Sequence, residues 1–158
     1  MRTIRRGGVR GYDAGKKVLG RKRHLLVDTD GLILKVRVHA ADVQDRDGAV
    51  TVLDQLDASL ASIQLIWADG GYGGPKLQGW LQQRFKGRPP QVEVVRPNPA
   101  QKGFAVLPRR WVVERTFGWL HLFRRLSKDY EFRTDSFEAF IFIAASKILL
   151  ARLAKPSL

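Results

Sequence analysis

Two carboxylates stand where the sequence could do chemistry. Asp69 closes the apolar run "SIQLIWAD" and meets a glycine pair in "IWADGGYGG". In open α/β sheets, ligands gather at the carboxyl ends of strands. Gly70 and Gly71 let the chain turn sharply there and come close to a ligand. A carboxylate in that place can hold a metal ion, and it can equally cap the turn. The second acid, Glu114, is the single carboxylate in "RRWVVERTFGWLHLFRRL", which runs from Arg109 to Leu126 with six cations or potential cations, two tryptophans and two phenylalanines. A surface built only for solubility would mix both signs.

At about 100° per residue of helix, Val112, Thr116, Trp119, Phe123 and Leu126 share one stripe. Arg110, Glu114, Gly118, His121 and Arg125 share the opposite one. The rings therefore belong mostly to the core. The polar stripe carries two arginines and a histidine suited to phosphates, and one acid suited to a metal. Arg110 and Glu114, four apart, also have the spacing of an ordinary surface ion pair.

The remaining acids have simpler uses. Asp28 and Asp30 sit in a turn, and Asp42, Asp45 and Asp47 lead into a helix, where acids suit the N-terminal dipole. Asp13, between basic and glycine residues, reads as a loop residue, with a catalytic role as the alternative. His24 and His39 have no zinc-like spacing.

These groups need elements to hold them. Residues 1–20, rich in Gly and Arg and without periodicity, read as a basic arm ahead of a folded core over 21–158. "RKRHLLVDTDGLILKVRVHAAD" reads as a hairpin about "DTDG". Its second run places Leu32, Leu34, Val36 and Val38 on one side. Ala49, Val52, Leu53, Leu56 and Leu60 recur at helical spacing, giving a helix over 45–60. "SIQLIWAD" has the pattern of a strand buried on both faces. A helix over 75–85 follows, with Pro75 in its first turn. "QVEVVRP" is a further strand, and Pro108 precedes the long helix of 109–126. A last helix over 136–153 reads as buried; it contains Lys147 and is too short to span a bilayer comfortably. The order predicts an α/β fold, a mixed sheet covered by helices.

The chain has 158 residues, a net charge of +13 and no cysteine, which excludes disulfides and thiolate metal sites. A reducing cytoplasm fits, and no apolar run behind the basic N-terminus reads as a signal peptide. The charge is uneven. Residues 1–23 carry nine Lys and Arg against one acid, residues 96–133 nine against three, and residues 24–95 seven against nine. Two basic blocks around a near-neutral middle point to a polyanion, with nucleic acid the expected partner.

Four segments, "RGYDAGKKVLGRKRHLLVDTDG", "HAADVQDRDGA", "WADGGYGG" and "PRRWVVERTFGWLHLFRRLSKDYE", resemble the DDE transposases of bacterial insertion sequences, in the IS-four/IS-five superfamily. The resemblance covers nearly the whole chain. It implies a ribonuclease H-like fold and an Asp–Asp–Glu triad binding two Mg²⁺, with Asp69 as the second acid and Glu114 as the third. Of the family's Tyr–Arg–Glu–Lys signature, Arg110 and Glu114 match, while Leu107 and His121 stand at the Tyr and Lys positions. The family's first Asp lies on a central strand ahead of the basic glycine-rich segment, and Asp13 does not match it. The chain thus resembles the C-terminal catalytic portion of a transposase, without its first strand and first acid.

The resemblance further implies DNA strand cleavage that leaves a 3′-OH, and attack of that hydroxyl on target DNA. The expected partners are double-stranded DNA (element ends and target), the upstream transposase portion and a homo-oligomer; no membrane is expected. DNA contacts are expected from Arg110, Arg115, His121, Arg124, Arg125, Arg21, Lys22 and Arg23. The chain alone is expected to be inactive, and its place is the bacterial cytoplasm, at the nucleoid when bound to DNA. The rival readings are a non-catalytic DNA-binding fragment and another ribonuclease H-like nuclease.

Overall fold

The computed structural model describes residues 8–56, 62–96, 100 and 107–154. Strand β1 (Gly11–Asp13), β2 (Val18–Val27) and β3 (Ile33–Ala40) form an antiparallel sheet in that order. Helix α1 (Asp45–Leu53) follows, then strand β4 (Leu65–Ala68), helix α2 (Pro75–Arg84) and strand β5 (Gln91–Val94). The chain closes with helices α3 (Pro108–His121) and α4 (Thr134–Leu153). Strands β4 and β5 pair in parallel as a separate two-stranded sheet.

The β2–β3 hairpin turns as "DTDG" predicts. Asp28 Oδ1 accepts from the amides of Asp30 at 2.9 Å and Leu32 at 2.8 Å. Gly31 has φ of +82°, and a Cβ there would lie 2.7 Å from Thr116 Oγ1. Glycine is needed at that point for both reasons. Helices cover both faces of the hairpin. Val36 and Val38 pack with Leu120, Leu126, Phe137, Ile141 and Ala144 on one side. On the other, α1 and α2 enclose Leu26, Ala49, Val52, Leu53, Leu77 and Leu81.

Several expectations need correction. Residues 11–13 and 18–20 are strand rather than arm, because Gly11–Asp13 pairs with Val18–Gly20; residues 1–7 lie outside the described residues. Helix α1 stops at Leu53, although Leu56 is still buried, and Leu60 lies outside the described residues. The predicted mixed sheet is two sheets. Strand β4 is not buried on both faces: Leu65 is exposed and the rest are half-buried, since among the described residues β4 pairs on one edge, with β5. Helix α3 ends at His121, and a short 3-10 turn (Arg124–Leu126) follows an extended Phe123. That break lets Phe123 and Leu126 both pack on the core beside Leu120. It also takes Arg125 off the helical stripe of Glu114. Helix α4 buries only Phe137, Ile141 and Ala144 and leaves Ile143, Leu150 and Leu153 exposed.

A cavity of about 660 Å³ is lined by residues of β2 and β4 and of the helices around them. Leu25, Leu26, Ile66, Val92 and Phe117 give it an apolar lining, and Asp69 and Arg110 stand on its border.

Candidate functional site

Asp69 follows the last residue of β4, at its carboxyl end, and is exposed. Its Oδ1 accepts the Gly71 amide at 2.9 Å, capping the 3-10 turn Gly70–Tyr72. Turn capping and ligand placement are thus compatible: the capped carboxylate stays exposed at the strand end.

Helix α3 meets β4 and β5 through Arg109. Its guanidinium lies 4.5 Å over the Trp67 ring and 3.7 Å from Glu93, while Trp67 Nε1 donates to Glu93 at 3.1 Å. This contact sets the first turns of α3 beside the strand that ends at Asp69. Arg110, the next residue, lines the same cavity as Asp69. Glu114 is exposed one turn further on, and its Oε1 accepts from Arg110 Nε at 3.1 Å and Nη2 at 3.0 Å. Such an exposed pair contributes only about 0.3–0.5 kcal/mol. It leaves the carboxylate free to exchange partners at little cost.

The two acids are therefore on adjoining elements, Asp69 and the Arg110 partner of Glu114 line one cavity, and each acid is held by one local partner. Hard carboxylate oxygens suit Mg²⁺, which takes one or two of them and keeps waters. Among the described residues, no three His, Asp or Glu side chains are grouped to hold a metal.

The cations expected to meet DNA divide sharply. Arg21 is 1% exposed and lies inside the protein: its Nη1 pairs with Asp129 at 2.9 Å and with the Glu131 carbonyl at 3.0 Å, and its Nη2 donates to Phe132 O at 2.7 Å. Burial with those partners removes it from any DNA-facing surface. Lys22 donates to Val43 O at 2.9 Å and pairs with Asp45 at 3.1 Å. Arg23 is half-buried against the Phe117 and Phe137 rings, and burial lowers its pKa. Arg115 donates to Asp30 O at 3.1 Å and stacks on Trp119. His121 and Arg124 are exposed, as is Arg125, which Glu131 holds at 2.6 Å. Asp13 Oδ1 accepts the Lys16 amide at 3.0 Å, which holds its carboxyl below the usual range.

Sequence reasoning missed a histidine cluster beside the site. His24 and His39 stack at 4.5 Å, and His24 Nδ1 lies 2.6 Å from the Tyr72 hydroxyl. Burial first, and then His39, push the His24 imidazole down to about 4. Burial, then Asp45 and Asp69, push the Tyr72 phenol up. The hairpin register held the signal: His24 pairs with Arg37, so His39 is its diagonal neighbour on the same face.

The described helices include none long and apolar enough to cross a membrane. The family model of the transposase DDE domain matches residues 1–149. The chain belongs to the DDE transposase family. It is also similar to the putative transposase for insertion sequence element IS402 of Burkholderia cepacia, 31% identical over 129 residues that make up 77% of this chain and 59% of that protein. The chain thus spans about six-tenths of the length of that relative. No solved structure matches the chain.

Proposed function

We propose that this DDE transposase chain supplies two acids, Asp69 and Glu114, of a metal-dependent centre that cuts and joins DNA strands during transposition of an insertion sequence. One observation carries the reading. Asp69 and Arg110, the ion-pair partner of Glu114, border one cavity, and residues of β2 and β4 line it.

The gap suggests how the centre is completed. A strand entering it could pair with β4 and with the edge of β2 beyond β1, joining the two sheets into one ribonuclease H-like sheet. Its apolar side chains would meet Leu25, Leu26 and Ile66, and an acid at its end would stand beside Asp69. We assign that strand, and the third acid, to the upstream transposase portion.

Bound Mg²⁺ would activate a water and stabilise the leaving oxygen of the scissile phosphate. The chain's own residues do the rest. Asp69 and Glu114 hold and orient the ions, and Arg110 is released from Glu114 to face a phosphate. Exposed His121, Arg124 and Arg125 neutralise the DNA backbone beside the site. Such a partner places the work in the bacterial cytoplasm, at the nucleoid.

The test is cleavage of DNA bearing the element's ends. The 158-residue chain alone should bind duplex DNA with a steep salt dependence and should not cut it. An added upstream portion, fused in frame, should confer Mg²⁺-dependent cutting. Asp69→Asn and Glu114→Gln should each abolish cutting and leave DNA binding nearly intact. Metal-dependent cutting by the chain alone, abolished by Asp13→Asn, would overturn the account and make Asp13 the missing acid.

A further inference from the structure

The turn that carries Asp69 has little stiffness of its own. Four glycines, Gly70, Gly71, Gly73 and Gly74, surround Tyr72, and glycine is the most freely rotating residue. Among the described residues, the strand ahead of the turn pairs on one edge. Something outside the turn must fix where the Asp69 carboxylate points.

Tyr72 is the side chain that leaves the turn and enters the protein. Its hydroxyl lies 2.6 Å from His24 Nδ1 on β2, and the two rings meet edge to face at 5.6 Å. His24 is in turn held flat by His39 on β3, with the rings 4.5 Å apart and 20° from parallel. His39 is anchored by Nδ1, which donates to Ala40 O at 2.8 Å. The cluster is closed from above by α1. A Cβ on Gly48 would lie 2.4 Å from His24 Nε2 and 2.7 Å from His39 Nε2, so only glycine leaves room for both rings.

The Tyr72 hydroxyl and His24 Nδ1 share one hydrogen bond. The other ring nitrogen, the buried Nε2, has no hydrogen-bond partner among the described residues. An unsatisfied buried polar nitrogen is unfavourable, and an apolar ring would fill the place without it. Stability alone does not select histidine here. What histidine adds is a hydrogen-bonding nitrogen aimed at Tyr72, three residues beyond Asp69.

We propose that His24, backed by His39 and Gly48, acts with Tyr72 as a positioning clamp that sets the direction of the Asp69 carboxylate for metal binding. The proposal rests on the reading of Asp69 as a metal ligand. Partners that orient a metal ligand commonly change metal affinity about 10–100-fold when removed.

The Gly71 amide donates directly to Asp69 Oδ1, so its NMR signal reports on that carboxylate. The experiment is a Mg²⁺ titration of the 158-residue chain followed at that amide. Tyr72→Phe keeps the ring and removes the hydroxyl; it should raise the Mg²⁺ midpoint about tenfold. His24→Leu should do the same. His24→Asn, whose amide oxygen can stand where Nδ1 stood, should recover much of the affinity. A merely structural role would not be rescued in this way. If Tyr72→Phe leaves the midpoint within about twofold of the parent while Asp69→Asn abolishes the response, the clamp is overturned and the metal reading stands. A response that survives Asp69→Asn would overturn the metal reading and the clamp with it.

Discussion

Replacing Arg21 by alanine separates a folding cation from a DNA-binding one. Arg21 and Asp129 are 1% and 0% exposed, and their side chains meet at 2.9 Å. The same guanidinium holds the carbonyls of Glu131 and Phe132, so it pins the segment between α3 and α4 onto β2. Arg21→Ala removes all of these contacts and strands the Asp129 carboxylate in the interior. Breaking a buried pair from one side costs about 3–5 kcal/mol, mostly the burial of the charge left behind. For a domain of this size that is a fall in Tm of about 6–20 °C. Urea unfolding gives the stability, and a fluorescence anisotropy titration of duplex DNA at matched salt gives the affinity. Stability should fall steeply, and the DNA affinity of the folded fraction should hardly change. The pair Arg21→Met with Asp129→Leu should recover most of the stability, because an apolar pair no longer buries a lone charge. An Arg21→Ala protein that unfolds with the parent and binds DNA tenfold more weakly would refute this reasoning and put the guanidinium on the DNA-facing surface.

Two further outcomes follow from the packing. His24 titrates near 4 in the folded protein, against an ordinary value of 6.5, so the unfolded chain takes up the proton first as pH falls. The stability it supports is complete above 6.5 and is lost downward through that window, about 2 kcal/mol by pH 5; urea midpoints against pH should show the slope in the parent and a flatter profile in His24→Leu, and equal profiles would contradict it. Trp119 is half-buried between Arg115 at 4.8 Å and Arg152 at 4.6 Å. Trp119→Ala should therefore cost about 1–3 kcal/mol in urea unfolding, less than a fully buried ring, and a loss well above that would place the ring in the core.

The sequence was most legible where one period ran without interruption. The Asp28–Gly31 turn set the hairpin, and its "DTDG" pivot was found in place; the one-sided alternation failed at Leu34, because a register shift at Leu26/Val27 turns Leu34 to the cluster of Leu26, while Val36 and Val38 pack with Ile33 in the other. Helix α4 was anticipated within two residues, at Thr134–Leu153, because its apolar positions run unbroken. Asp69 and Glu114 could be placed on their elements because each has a local mark, a strand end before glycines and a helix stripe of cations. What escaped was long-range. "SIQLIWAD" is apolar enough for a central strand, so nothing local shows that β4 has one neighbour among the described residues. Arg21, Lys22 and Arg23 are a basic run by composition, yet in a strand they point to alternate faces, and Arg21 finds Asp129 more than a hundred residues away. His24 and His39 looked unrelated by spacing, and only the hairpin register brings them together.

The central claim is that Asp69 and Glu114 are metal ligands, and a change of ligand softness tests it most directly. The chain has no cysteine of its own, so Asp69→Cys or Glu114→Cys introduces its sole thiol. A thiolate is a poor ligand for Mg²⁺ and a better one for softer ions such as Mn²⁺. In the transposase carrying its upstream portion, DNA cutting by each variant should be lost in Mg²⁺ and partly regained in Mn²⁺. Asp69→Ala and Glu114→Ala should stay inactive in both ions. Unchanged cutting by the cysteine variants in Mg²⁺, or equal loss in both ions, would contradict direct ligation by these two carboxylates.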